Sequence, residues 1–232
     1  MVERPTSNRR RATLGALALA SAACVGLVAA RRLHAGFSDY GFLLWNLFLA
    51  WIPFGLALLV YDGARRGRST RWLLAVGTLW LLFLPNAPYI VTDFVHLGHH
   101  WEHPGAPIWF DATMIAAFAG TGLLLGFLSL SLVQLVVARR VGGRAAWGFA
   151  LAALGLTSVG IYLGRVLRFN SWDALVAPHA LLDALWAPLA DPYAHRKVLA
   201  ALVATTLALA VTYAVLHALG WLRPVEDEPR EG

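Results

Sequence analysis

A chain of 232 residues with 59% hydrophobic and only 14% charged side chains is too apolar for an ordinary water-soluble domain, so the surplus must be membrane-spanning. The net charge of +6 does not indicate a nucleic-acid partner, because the basic residues fall in short clusters between apolar runs and not along one solvated face. The only cysteine, Cys24, lies inside the first apolar run, which excludes an intramolecular disulfide and cysteine-based metal or redox chemistry.

Six apolar stretches are long enough for a hydrocarbon layer of ~30 Å: residues 12–30, 40–60, 72–91, 109–137, 145–167 and 198–222. The expected fold is an all-α polytopic membrane bundle of six transmembrane helices over residues 12–222. A basic segment, 1–11, precedes it and a short charged tail, 223–232, follows. The first stretch also has features of a signal peptide, with Arg9, Arg10 and Arg11 before it and Ser21, Ala22 and Ala23 near its middle. Its apolar region exceeds the ~7 to 15 residues usual for one, so it is read as a span.

The third stretch ends in Leu84-Pro85-Asn86-Ala87-Pro88-Tyr89-Ile90-Val91-Thr92-Asp93, followed by His96. Each proline removes a backbone donor and clashes with the carbonyl four residues earlier, so the helix is expected to break near Leu84. A second short helix can then begin with Asn86 as its cap and Pro88 in its first turn. That start would hold unpaired N–H groups and a positive dipole end, which suits a phosphate or carboxylate. Tyr89, Asp93 and His96 would share one α-helical face. His99, His100 and His103 invite a metal reading with Asp93 and His96, but the spacing has no His-Glu-x-x-His and Gly98 and Pro104 mark a loop, so no metal and no cofactor is assigned.

In the fourth and fifth stretches, Gly122 with Gly126 and Gly160 with Gly164 are spaced for close helix packing in lipid. The fifth ends in a second polar cluster: Arg165, Arg168, Asn170, Ser171, Trp172 and Asp173. Arg165 and Arg168, three residues apart, need carboxylates or a phosphate if they face inward. Asp93 and Asp111 are the nearest candidates by topology, with Asp93 expected to pair with an arginine and Asp111 or Asp173 to share the other. Beyond this cluster, Trp172, Leu175, Val176, Leu182, Leu185, Trp186 and Leu189 recur at three and four, as in an amphipathic helix lying in the membrane interface.

Thirteen of the arginines flank one set of span ends and six basic residues the other, which places both termini in the cytoplasm of a multi-pass cell-membrane protein. Asp93, His96, Asp111 and Asp173 then fall on the outer side.

The run from Leu84 to Asp93 with His96, then Trp109-Phe110-Asp111, then Gly160-Ile161-Tyr162-Leu163-Gly164-Arg165 with Arg168-Phe169-Asn170-Ser171-Trp172-Asp173, resembles the signatures of the bacterial polytopic membrane family known as domain of unknown function 1361. The likeness spans about residues 42–196 and implies a membrane fold but no activity; His99, His100 and His103 lie outside the pattern.

Three roles stand for the outer cluster. It is a structural ion network, or a site that binds or modifies an anionic lipid headgroup or small phosphate compound, or part of a small-solute or proton-coupled transporter. An enzyme would use Asp93 as general base and His96 as its proton partner. Arg165 and Arg168 would clamp a phosphate, Asn170 and Asp173 would orient them, and Asn86, Tyr89 and Asp111 would complete the binding set. Transport is less favoured because the sixth stretch, over residues 198–219, has no proline or glycine to match the broken third. Membrane lipids are the expected partners, nucleic acid is not, and six spans are compatible with a homo-oligomer.

Overall fold

The computed structural model describes residues 6–35, 40–102, 106–169, 176, 179–180, 183, 186 and 190–220, and among these every regular element is helical. The helices are α1 (Thr6–Ala35), α2 (Gly41–Arg65), α3 (Thr70–Phe83), the short α4 (Asn86–Tyr89) leading into a 3₁₀ helix (Ile90–Glu102), α5 (Ile108–Val141), α6 (Gly143–Arg165) and α7 (Arg196–Ala218). Six segments are long and apolar enough to cross a membrane, α3, α4 and part of the 3₁₀ helix counting together as the third. Helices suit this composition because each backbone donor is satisfied within its own segment.

The turns follow from local chemistry. α2 closes with Gly67 in the left-handed region (φ 69°), the Arg68 N–H reaching Gly63 O at 3.0 Å and the Gly67 N–H reaching Ala64 O at 3.2 Å. This is a Schellman closure, for which glycine carries no Cβ penalty. Ser69 then starts α3 by accepting from the Trp72 N–H at 3.3 Å. Gly142 (φ 91°) alone separates α5 from α6.

α5 is the most enclosed span and α7 the least. One half of the core gathers Tyr61, Trp80, Phe127, Leu130, Leu154 and Tyr213 from α2, α3, α5, α6 and α7. The other packs Cys24, Leu43, Phe54, Ile90, Met114 and Phe118 from α1, α2, the 3₁₀ helix and α5. Ion pairs mark both ends of α1. Arg10 grips Asp62 near the end of α2 through two bonds of 3.0 and 2.9 Å, and Arg31 grips Asp111 at the start of α5. The bundle thus has a basic end, with Arg10, Arg65 and Arg139, and an opposite end that holds Asp93 and Asp111. Most of the expected interfacial helix after Trp172 lies outside the described residues; Val176 and Trp186 are helical and exposed.

Candidate functional site

The third span changes helix type where the prolines sit. α3 ends at Phe83, and Leu84 through Ile90 stay in the right-handed region, so the break is a tightening of the helix and not a reversal. Pro88 offers no donor to Leu84 O, and the Ala87 N–H takes that carbonyl instead at 3.2 Å. Asn86 does not cap the new helix as expected. Its amide points backward and donates to Phe83 O at 2.9 Å, and Pro85 is the cap residue with no side-chain bond. The Tyr89 N–H bonds Pro85 O at 3.0 Å. The Ala87 and Tyr89 N–H groups are thus taken internally and are not donors for an anion at the start of this short helix.

Downstream of Ile90 the repeat is three residues, the period of a 3₁₀ helix. Ile90, Asp93 and His96 therefore fall on one line, the first two buried and His96 half-buried, and Leu84 and Ala87 before them are buried as well. This replaces the α-helical face expected for Tyr89, Asp93 and His96. Glycines make room for this stretch. A Cβ on Gly160 would lie 2.4 Å from Pro85 Cγ, and one on Gly122 would lie 2.5 Å from Ala87 O. The spaced glycines of α5 and α6 are thus grooves that seat the proline turn.

Asp93 is the centre of the cluster, fully buried. Its Oδ1 accepts from Arg165 Nη1 at 3.2 Å and its Oδ2 from Asn46 Nδ2 at 2.8 Å, so the carboxylate joins α2, the 3₁₀ helix and α6. Arg165 also donates through Nη2 to Thr92 O at 2.9 Å, and its guanidinium carbon stands 5.7 Å from the centre of the Tyr89 ring. Gly164 permits this approach, since a Cβ there would meet Tyr89 at 3.2 Å. His96 Nδ1 lies 3.1 Å from Asp93 O and 3.4 Å from Arg165 Nη2, and its ring packs on Phe42 with centroids 4.5 Å apart. The two sequence-distant clusters do meet, through Asp93 and Arg165. Asn46 was not among the expected residues, although a lone amide inside the apolar run of α2 is the signal that marks it.

Asp111 does not share Arg168. It is fully buried and takes Arg31 by two bonds, Nε to Oδ1 at 2.5 Å and Nη2 to Oδ2 at 3.1 Å, with the Tyr40 hydroxyl donating to Oδ2 at 3.2 Å. Arg31 also stacks over the Tyr40 ring at 4.9 Å. The reason is position: the first turn of α5 meets the last turns of α1, whereas α6 ends at Arg165 and leaves Arg168 beyond it. Tyr40, Phe42 and His96 form a chain of ring contacts linking the two pairs.

Arg168 is exposed and has a left-handed backbone (φ 60°), the only non-glycine residue with positive φ among those described. The Phe169 N–H bonds Leu163 O at 3.0 Å and holds the chain in this turn. Arg168 and Arg165 therefore do not share a helix face. Asn170 and Asp173, with Ser171 and Trp172, lie outside the described residues, as do the side chains of His99, His100 and His103. Among the described residues no three His, Cys, Asp or Glu side chains are grouped to hold a metal.

A family model described as "Protein of unknown function (DUF1361)" matches residues 45–212. No curated protein and no solved structure matches the chain.

Proposed function

We propose that this chain, which belongs to the DUF1361 family of proteins of unknown function, uses the cluster around Asp93 to hold an anionic group at the outer surface of the membrane. The observation that carries this reading is an asymmetry within the cluster. Its anionic member, Asp93, is 0% exposed and accepts on both oxygens, whereas the Arg165 guanidinium that donates to it keeps 24% side-chain exposure. The surface offered outward is cationic, as a phosphate or an anionic headgroup requires.

Arg168 adds to that surface. A left-handed backbone costs a residue with a Cβ roughly 1–2 kcal/mol, which glycine at this turn would avoid. Asp93 in this reading is a positioning residue and not a general base, because no oxygen of its carboxylate faces solvent. Membrane lipid or a small phosphate compound would be the ligand, and the site would face the outside if the basic end is cytoplasmic.

A small-solute or proton-coupled transporter is the second reading, and the buried Asp93–Arg165 pair is the observation that favours it. The void behind the break, between Pro88, Gly126 and Thr157, is only about 10 Å³, no larger than one water. None of the residues lining it belongs to the Asp93 cluster, so this void is not a path from the pair.

Native mass spectrometry from nanodiscs of mixed phosphatidylcholine and phosphatidylglycerol tests the proposal. Arg168→Ala is expected to lower retained phosphatidylglycerol, or bound inorganic phosphate if that is added instead, without lowering the melting temperature. Equal retention of both probes by the variant and the parent protein would overturn it.

A further inference from the structure

The basic end carries a second feature that the outer cluster does not explain. Arg65, Arg66, Arg68 and Arg71 crowd the turn between α2 and α3, and all four are exposed. Asp62, the nearest acid in sequence, is already held by Arg10 through both oxygens. Arg65 leans over Tyr61, 5.8 Å from the ring centre, and Arg139 of α5 lies 5.9 Å from the same ring. Arg66 and Arg68 are left lining a cleft of about 530 Å³ together with Gly67, Ser69 and Trp72.

The cleft is a built surface. The Schellman closure at Gly67 sets Arg66 and Arg68 on either side of the left-handed residue. Trp72 forms the wall: a Cβ on Gly63 would lie 2.3 Å from its ring, so the indole is seated against the α2 backbone. The Arg68 guanidinium carbon stands 5.9 Å from the Trp72 ring centre. A tryptophan at the start of a span sits at headgroup depth, and guanidinium groups beside it match the oxygens of a phosphate.

We propose that this cleft holds the phosphate headgroup of an anionic lipid from the leaflet at the basic end. The arguments for that occupant are charge complementarity, the commitment of the nearby carboxylate to Arg10, and the depth of Trp72. The site is independent of the Asp93 cluster, which lies at the opposite end of the bundle.

The test is retention of phosphatidylglycerol against phosphatidylcholine by native mass spectrometry from mixed nanodiscs. It compares the parent protein, Arg66→Ala/Arg68→Ala, and Arg140→Ala/Arg144→Ala, the last removing equal charge at the same end without lining the cleft. The cleft variant is expected to retain at least about fivefold less phosphatidylglycerol than the control variant, a gap that diffuse attraction of about 1 kcal/mol per basic residue cannot produce because both variants lose equal charge. Equal loss in both variants would mean diffuse charge attraction, and no loss would mean an empty cleft; either overturns the proposal. Arg68→Lys guards against misfolding, since it keeps the charge but not the fork geometry and is expected to retain an intermediate amount. Arg168→Ala, at the other end, is expected to leave this cleft's share of retention unchanged, so failure of the two sites can be told apart.

Discussion

Arg165 of α6 and Asp93 of the 3₁₀ helix, 72 positions apart in sequence, meet with Nη1 3.2 Å from Oδ1, and Asn46 of α2 completes the contact from the other side of the carboxylate. Two helices and the broken span are tied at one fully buried group. Removing charges from water costs several kcal/mol per ion, which their attraction offsets only with the added hydrogen bonds seen here.

Arg165→Ala leaves Asp93 buried with Asn46 as its remaining side-chain donor and is expected to destabilise the protein by about 3–5 kcal/mol. Arg165→Ala/Asp93→Ala removes both charges and should melt higher than the single variant. A double variant that melts lower would show that the pair does not act as a unit.

The glycine grooves make a second contrast. Gly160→Ala and Gly122→Ala drive a methyl group into Pro85 and the Ala87 carbonyl and should each cost roughly 1–3 kcal/mol. Gly155→Ala meets nothing within 4 Å and should stay within about 0.5 kcal/mol of the parent. Thermal melts in one detergent check all three, and equal melting temperatures would contradict the seating of the proline turn.

For the second pair, Arg31→Ala is expected to destabilise by about 3–5 kcal/mol because Asp111 is left buried without its guanidinium. Arg31→Met/Asp111→Leu, which replaces the pair with apolar groups of similar size, should recover most of that loss. Denaturant titration of the two variants measures the difference, and a double variant no more stable than Arg31→Ala would refute it.

Orientation follows from the basic imbalance between the two ends. In a Cys24→Ala background, Glu102→Cys is expected to react with an impermeant maleimide added outside intact cells, and Arg140→Cys only after the membrane is opened. The reverse pattern would put the Asp93 cluster on the cytoplasmic side and the arginine cleft outside.

The meeting of Asp93 with an arginine was legible in sequence, because a carboxylate and a guanidinium at the same ends of apolar spans must each find a partner. Which arginine goes with which carboxylate was not. Asp111 sits two residues after the Trp109 that opens the fourth stretch, and nothing local to it distinguishes Arg31 from Arg168. Asn46 was visible as an isolated amide in an apolar run, but its target depends on how α2 is rotated against the third span.

By itself the amino-acid order determined six helical spans and a disturbance at Pro85 and Pro88, because span length, mean apolarity and a missing proline donor are properties of a short stretch of chain. Only the tertiary structure decided that Asn86 donates backward to Phe83, that the span continues with a three-residue period, and that Asp93 joins Asn46 and Arg165 while Asp111 joins Arg31. Those outcomes depend on helix rotation and approach, which are set by distant contacts such as Gly160 against Pro85 and Gly122 against Ala87. A buried charge requires a partner wherever the chain goes, but packing chooses it.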